Sequence, residues 1–205
     1  MNDEEARAAL NVPRETLERL ECFERLLRAE SGRQNLVSRA SLGQYWSRHV
    51  LDSAQLLRFA PAETSAWLDL GSGAGFPGLV VAAIHPARFT LVESRRLRVE
   101  FLHSAAEILG VGDRVEIVGS RVEALQTRSF DAISARAFAP LPRLLMLAER
   151  FSTAKTRWIL PKGRNARSEL DEALRSWQGD FRLEPSLTDP EAQIIVAEGV
   201  KRKRK

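Results

Sequence analysis

The sequence predicts an α/β fold: a mostly parallel seven-stranded sheet with helices on both faces, preceded by an N-terminal helical extension. Three observations carry that expectation. From residue 66 onward, short apolar or β-branched runs alternate with helix-compatible stretches. The first of those runs breaks into Gly71-Ser72-Gly73-Ala74-Gly75 and leads into an apolar stretch, Leu79 to Ile84, that reads as a helix. Ahead of it, two stretches, 14–29 and 42–58, carry apolar residues at helical spacing.

The elements follow in order. Leu17, Leu20, Phe23 and Leu27 recur three or four apart, and Pro13 precedes them, so a helix starts near residue 13 and covers 14–29. A second helix is expected over 42–58, with Leu42, Tyr45, Trp46, His49, Val50, Ser53, Leu56 and Leu57 on one stripe. Phe59-Ala60-Pro61 ends it, which divides the chain into an extension (1–62), a ligand-binding domain (63–200) and a basic tail (201–205). Strands are expected at 66–70, 89–93, 115–118, 131–135, 157–160, 181–184 and 193–197, with helices near 77–84, 95–109, 140–151 and 166–177. In the 95–109 helix Leu97, Phe101, Leu102, Ala105, Ile108 and Leu109 form one stripe and Gly110 stops it. The short link between the last two strands predicts an antiparallel edge hairpin. Ligands of such sheets sit beyond the carboxyl ends of the strands, which directs attention to 71–76, 93–96, 119–123, 136–140 and 161–165.

Composition narrows the function. At 205 residues the chain is long enough for one domain with a substantial core. No apolar run approaches the roughly 20 residues of a membrane helix, and the acidic Met1-Asn2-Asp3-Glu4-Glu5 start is unlike a secretory signal. A single cysteine, Cys22, excludes an internal disulfide and fits a reducing, cytoplasmic setting. That cysteine and the three histidines, His49, His85 and His103, have no metal-ligand spacing, so no metal is expected. The net charge is +4, yet Lys201, Arg202, Lys203, Arg204 and Lys205 alone contribute five positive charges. Such a tail is either a polyanion contact or a solubilising end.

Alternating glycines let the main chain adopt φ > 0 and approach a ligand with no Cβ in the way. A dinucleotide loop would place its third small residue at position 76, which is Phe76; here Gly75 comes one residue early. Glycines at 71, 73 and 75 instead match the S-adenosylmethionine loop of class I methyltransferases. Glu93 ends the second strand, where a carboxylate accepts hydrogen bonds from ribose hydroxyls. Gly119-Ser120-Arg121-Val122-Glu123 follows the third strand, where an adenine would be covered, although an ordinary turn explains it equally well. Ser134 to Pro140 closes the fourth strand with Arg136 in place of the Asn/Asp-Pro-Pro-aromatic motif of amino-methylating enzymes. Arg136 would hold a carboxylate or a phosphate bidentately, or form a surface ion pair. His49 lies on an apolar stripe and reads as a core histidine, and Arg48 with Asp52 as an i,i+4 pair.

These segments together resemble the RsmG (GidB) family of bacterial 16S ribosomal RNA guanine-N7 methyltransferases. The resemblance runs from about Asn35 to Gly163. It rests on Asn35-Leu36, Arg48-His49-x-x-Asp52-Ser53, Asp69-x-Gly71 through Gly78, Glu93-Ser94 with Arg98 and Phe101-Leu102, Ser120 through Glu123, Ser134 through Phe138, and Lys162-Gly163. Ser72 stands where the family has Thr, Val37-Ser38 where Thr follows Asn-Leu, and Ser-Ala-Arg replaces Ser-Arg at 134–136.

The resemblance implies a class I, Rossmann-like methyltransferase fold with S-adenosyl-L-methionine as cofactor. It places cofactor contacts on Gly71, Phe76, Val122, Glu123 and Arg136, to which the loop chemistry adds Gly73, Gly75 and Glu93. It raises His49 and Asp52, beside Arg136, to candidate site residues without assigned roles. The implied partner is 16S rRNA in the small ribosomal subunit or its precursor, approached through Lys162, Arg164 and Lys201 to Lys205 by a monomeric enzyme. A small-molecule methyltransferase and a non-catalytic nucleotide- or RNA-binding module remain the alternatives.

Overall fold

In the computed structural model, which describes residues 1–203, seven strands form one sheet: β1 (Ala66–Leu70), β2 (Arg88–Val92), β3 (Val115–Val118), β4 (Ala132–Ala135), β5 (Arg157–Lys162), β6 (Trp177–Pro185) and β7 (Gln193–Arg202). Their order is β3-β2-β1-β4-β5-β7-β6. The first five run parallel, whereas β7 pairs antiparallel with both β5 and β6. The expected edge hairpin is present, with its second strand tucked inside the first. The strand order reverses direction at β1 and β4, so a crevice opens beyond their carboxyl ends, where such sheets bind ligands.

Alternation along the strands divides the core between the two faces. Trp67, Phe89, Leu91, Ile159 and Val196 join one buried cluster, and Leu68, Leu70, Ile133, Trp158 and Leu160 join the other. The first face is covered by α1 (Asp3–Ala9), α2 (Arg14–Ser31), α5 (Gly78–Ile84) and α6 (Arg96–Ile108), the second by α7 (Leu141–Ala148) and α8 (Ala166–Ala173). Burial on both faces explains why the parallel strands are apolar nearly throughout.

The structure corrects the sequence-based expectation in three places. Helix α1 was not expected, although Asn2 and Glu5 form a capping box whose signature is visible in the chain. The single helix expected over 42–58 is instead a short α3 (Arg39–Leu42), a π turn (Trp46–Leu51), a short α4 (Asp52–Ala54) and a 3₁₀ turn (Gln55–Phe59). Asp3 of α1 organises the start of the π turn by accepting from the amides of Trp46 and Ser47, at 3.2 and 2.9 Å, and from the Ser47 hydroxyl, at 2.6 Å.

The third correction concerns the basic segment. Strand β7 continues to Arg202, with Lys201 opposite Gln178 and Arg202 opposite Trp177. Gly199, at φ +58°, sits where the register shifts, so a bulge carries the hairpin past the end expected at residue 197. The Lys203 amide donates to the Ser176 carbonyl at 2.9 Å. Residues 201–203 are therefore bound to the sheet, whereas Arg204 and Lys205 lie outside the described residues. Because β7 runs antiparallel to β5, this end of it lies away from the glycine loop.

The extension and the sheet share one core. Phe23 of α2 is fully buried, with ring centroids 6.4 Å from Tyr45, 5.4 Å from Phe76 and 6.2 Å from Phe101. Phe23→Ala should cost about 3–5 kcal/mol, and chemical denaturation should still show one transition by both circular dichroism and tryptophan fluorescence. A separate early transition would make the extension an independent unit.

Candidate functional site

The turn after β1 is built by backbone conformations that only glycine enters readily. Gly71, Gly73 and Gly75 have φ of +68°, +55° and +89°. The amides of Gly71 and Ser72 both donate to the Val92 carbonyl, at 2.9 and 3.1 Å, which locks the turn to the end of β2. Glu93 completes the lock. One carboxylate oxygen accepts from the Gly73 amide at 3.1 Å and the other from the Arg95 amide at 2.8 Å. Glu93 thus shapes the loop before it meets any ligand, and each oxygen keeps a lone pair for a ribose hydroxyl.

Beneath the loop, Asp69 is wholly buried on β1. Burial pushes its carboxyl up to about 6, against the opposing effect of the Ser134 and Ser72 hydroxyls. Ser134 Oγ donates to it at 2.7 Å and accepts from the Trp67 indole at 2.9 Å. A Cβ at Gly78 would come within 2.7 Å of Asp69 Oδ2, so the glycine that opens α5 makes room for that carboxyl.

Two cavities open at this end of the sheet. The first, of about 500 Å³, is lined by Gly71, Glu93, Val122 and Glu123 together with Ser120 and Arg98. The Val122 and Glu123 carbonyls accept from Arg150, at 2.6 and 3.2 Å, so the loop after β3 is held in place. The second, of about 670 Å³, is lined by Arg48, His49, Asp52, Arg136, Lys162 and Asp189, among others. Residues 137–140 form a wall common to both. Within that wall Ala137 adopts φ +53°, and Phe138 lies over Gly71 so closely that a Cβ there would meet its ring at 2.5 Å.

Arg136 ties the second cavity together. Its guanidinium donates to the Arg48 carbonyl at 3.1 Å and to Asp52 at 3.2 Å, and reaches His49 Nδ1 at 3.2 Å. It also sits 5.1 Å from the centroid of the Phe76 ring. A guanidinium only donates, so Nδ1 accepts and the proton of the neutral imidazole is on Nε2. Burial, with Arg136 and Arg48 close by, pushes the His49 pKa down to about 3. His49 stacks on Phe76 with ring centroids 4.6 Å apart, which makes it both a buried side chain and part of the cavity wall.

The sequence-predicted residues therefore separate into distinct groups. Gly71, Glu93, Val122 and Glu123 meet in the first cavity, and Arg136, His49, Asp52 and Lys162 in the second. Gly73, Gly75 and Phe76 line neither; Phe76 faces the aromatic core, 3 % exposed. The expected Arg48–Asp52 pair does not form, because the π turn sends Arg48 to Asp189, at 3.3 Å, and Asp52 to Arg136. Lys162 is committed to the Ala139 carbonyl, at 3.1 Å, and to Glu169, at 2.8 Å, bracing the common wall, while Arg164 is exposed just beyond β5. Ser186, Thr188 and Asp189, in the turn between β6 and β7, complete the second cavity and had no sequence signal beyond turn composition.

The first cavity has open glycine backbone at Gly71, the Glu93 carboxylate and the Val122–Glu123 turn on its walls, a lining that could hold S-adenosylmethionine. The strand order and this loop place the fold among class I methyltransferases. The O-methyltransferase from Bacillus cereus in complex with SAH superposes with a TM-score of 0.64 at 14% identity, over 96% of both chains. An RNA methyltransferase from Salinibacter ruber in complex with S-adenosyl-L-homocysteine gives 0.55 at 19% identity, over 76% of this chain and 92% of that one. Closer relatives are found by sequence. The family model for rRNA small subunit methyltransferase G matches residues 16–189. "Ribosomal RNA small subunit methyltransferase G" from Rhizorhabdus wittichii is 53% identical, over 98% of this chain and 94% of its own length. The protein of the same name from Zymomonas mobilis is 50% identical, over 92% and 88%. The chain belongs to the rRNA small subunit methyltransferase G family.

Two predictions follow from this geometry. Gly71→Ala should reduce S-adenosylmethionine affinity more than about tenfold by calorimetry, since left-handed strain and the Phe138 clash act together. Gly73→Ala, whose Cβ has no neighbour nearer than 3.7 Å, should lose less. For His49, the folded value near 3 lies below the unfolded 6.5, so its contribution is present above pH 6.5 and is lost as the pH falls toward 3. Thermal melts between pH 7 and pH 4 should therefore fall less steeply for His49→Gln than for the wild type; equal slopes would remove His49 from the acid sensitivity.

Proposed function

We propose that the protein transfers a methyl group from S-adenosylmethionine to N7 of a guanine in 16S rRNA, acting as a monomer on the small ribosomal subunit or its precursor in the cytoplasm. The observation that carries this reading is the pair of cavities sharing residues 137–140, one built for the nucleoside cofactor and the other walled by Arg48, Arg136 and Lys162. When bound, the cofactor supplies an electrophilic methyl on a sulfonium.

Guanine N7 carries a free lone pair at neutral pH, so the protein has no proton to remove there. Its task is alignment, the proximity contribution to catalysis. The residues suit that task. Arg136 is immobilised by four partners, Lys162 and Glu169 brace the common wall, and Asp52 is engaged by Arg136, Gln55 and Thr188. Exposed Arg164 and the strand-bound Lys201 and Arg202 supply cations for phosphates, and Lys201 and Arg202 would touch RNA remote from the reacting base.

The test is transfer of radiolabelled methyl from S-adenosylmethionine to small ribosomal subunits lacking the modification, to free RNA and to small-molecule extracts. Label should enter 16S rRNA at a guanine that then becomes sensitive to borohydride–aniline cleavage, the chemistry of N7-methylguanine. Label confined to small molecules would establish the small-molecule alternative, and no label anywhere a binding module.

A further inference from the structure

Three carboxylates line the second cavity, and two of them are tied to groups that build its walls. Asp52 accepts from Arg136, Gln55 and Thr188 at 3.2, 2.9 and 2.9 Å. Glu169 accepts from Lys162 at 2.8 Å and from the Leu141 amide, at the start of α7, at 2.9 Å. Asp189 is different. Its Oδ1 accepts from the Glu191 amide of its own turn at 2.9 Å. Among the described residues its Oδ2 meets Arg48 alone, at 3.3 Å, and the two side chains remain 31% and 51% exposed. An ion pair this exposed contributes little, so a ligand can exchange with it at small cost.

We propose that Arg48 and Asp189 read the Watson–Crick edge of the guanine that receives the methyl group. The inference rests on the methyl-transfer reading above and adds the source of its base specificity. A guanidinium beside a carboxylate offers donors next to acceptors. Guanine presents the matching order: the O6 acceptor, then the N1–H and N2–H donors. Asp189 Oδ2 takes the N1–H and N2–H pair, and Arg48 donates to O6. Adenine in the same pose would turn its exocyclic amine toward Arg48 and its bare N1 toward Asp189, two like-polarity contacts in a partly desolvated site. Holding the base by this edge leaves N7, on the opposite side of the ring, free to face the wall shared with the cofactor cavity. A volume of about 670 Å³ takes the base together with its sugar. The two readers come from different elements, Arg48 from the π turn and Asp189 from the β6–β7 turn. The widened turn that denies Arg48 its expected partner Asp52 is thus what delivers it to Asp189.

The test replaces the target guanine by inosine, which lacks the N2 amine alone, in 16S rRNA ligated from fragments and reconstituted into small subunits. Wild-type kcat/KM should be lower for inosine by about tenfold or more. Asp189→Asn keeps the turn bond to Glu191 but not the charge. It should lower kcat/KM for guanine and bring the two substrates within about twofold of each other, since a neutral amide no longer rewards the amine. Arg48→Met should slow both substrates alike, because O6 is present in both. Any difference that inosine makes to the RNA itself is common to all variants and cancels in the ratios. A wild-type enzyme that ignores the N2 amine, or an Asp189→Asn variant that keeps the wild-type ratio, would overturn the proposal while leaving methyl transfer standing. A wild-type enzyme that modifies neither substrate would overturn the methyl-transfer reading and this proposal with it.

Discussion

The guanidinium of Arg136 is the contact on which the site depends. It sits just past the end of β4, yet its hydrogen-bond partners, Arg48, His49 and Asp52, all come from the extension. A cation this enclosed must be paired, because leaving a charge partly buried without a partner costs several kcal/mol, about 3–5 by analogy with broken buried pairs. The requirement runs in both directions. Asp52 needs Arg136, Arg136 needs the π turn, and the π turn needs Asp3 of the first helix. A chain of charge satisfaction therefore joins the N-terminus to the end of the fourth strand and fixes the extension over the crevice.

Strain and packing then set the wall between the cavities. Ala137 holds a left-handed conformation that ordinarily costs about 1–2 kcal/mol for a residue with a Cβ. It persists because its neighbours over-determine it: Arg136 is clamped on one side, and Phe138 lies against Gly71 on the other. Lys162, reaching back from β5 to the Ala139 carbonyl, secures the far end. This segment is flanked by the two cavities, which suits the alignment role proposed for the site. Glu93 performs a comparable service for the glycine loop, tying its amide before a ligand arrives.

Part of the first cavity was legible in the chain because Gly71, Glu93 and the Val122–Glu123 turn are set by local chemistry. The glycines are required by positive φ, Glu93 by its place at a strand end, and the Val122–Glu123 turn by the strand before it. The second cavity was legible only in part. His49 was readable as a core histidine or as a site residue; it is buried and also lines the second cavity, because the stripe that buries it against Phe76 turns one ring nitrogen to Arg136. Arg48 and Asp52 look like a helical pair at i,i+4, and only the π turn separates them. Asp189 is 141 residues from Arg48, and nothing local marks it.

By itself, the chain determined the fold class, the alternation of strands and helices from residue 66 onward and the end of the sheet at which the crevice opens. These follow from periodicity, from the alternation of strand and helix runs and from glycine conformations, all properties of short segments. Tertiary structure alone decided which charge meets which, where β7 inserts, and that Lys201 and Arg202 continue a strand away from the crevice. Those outcomes depend on long-range pairing: a bulge at Gly199 is favourable only beside β6, and a carboxylate chooses its cation only once burial has set what each choice costs.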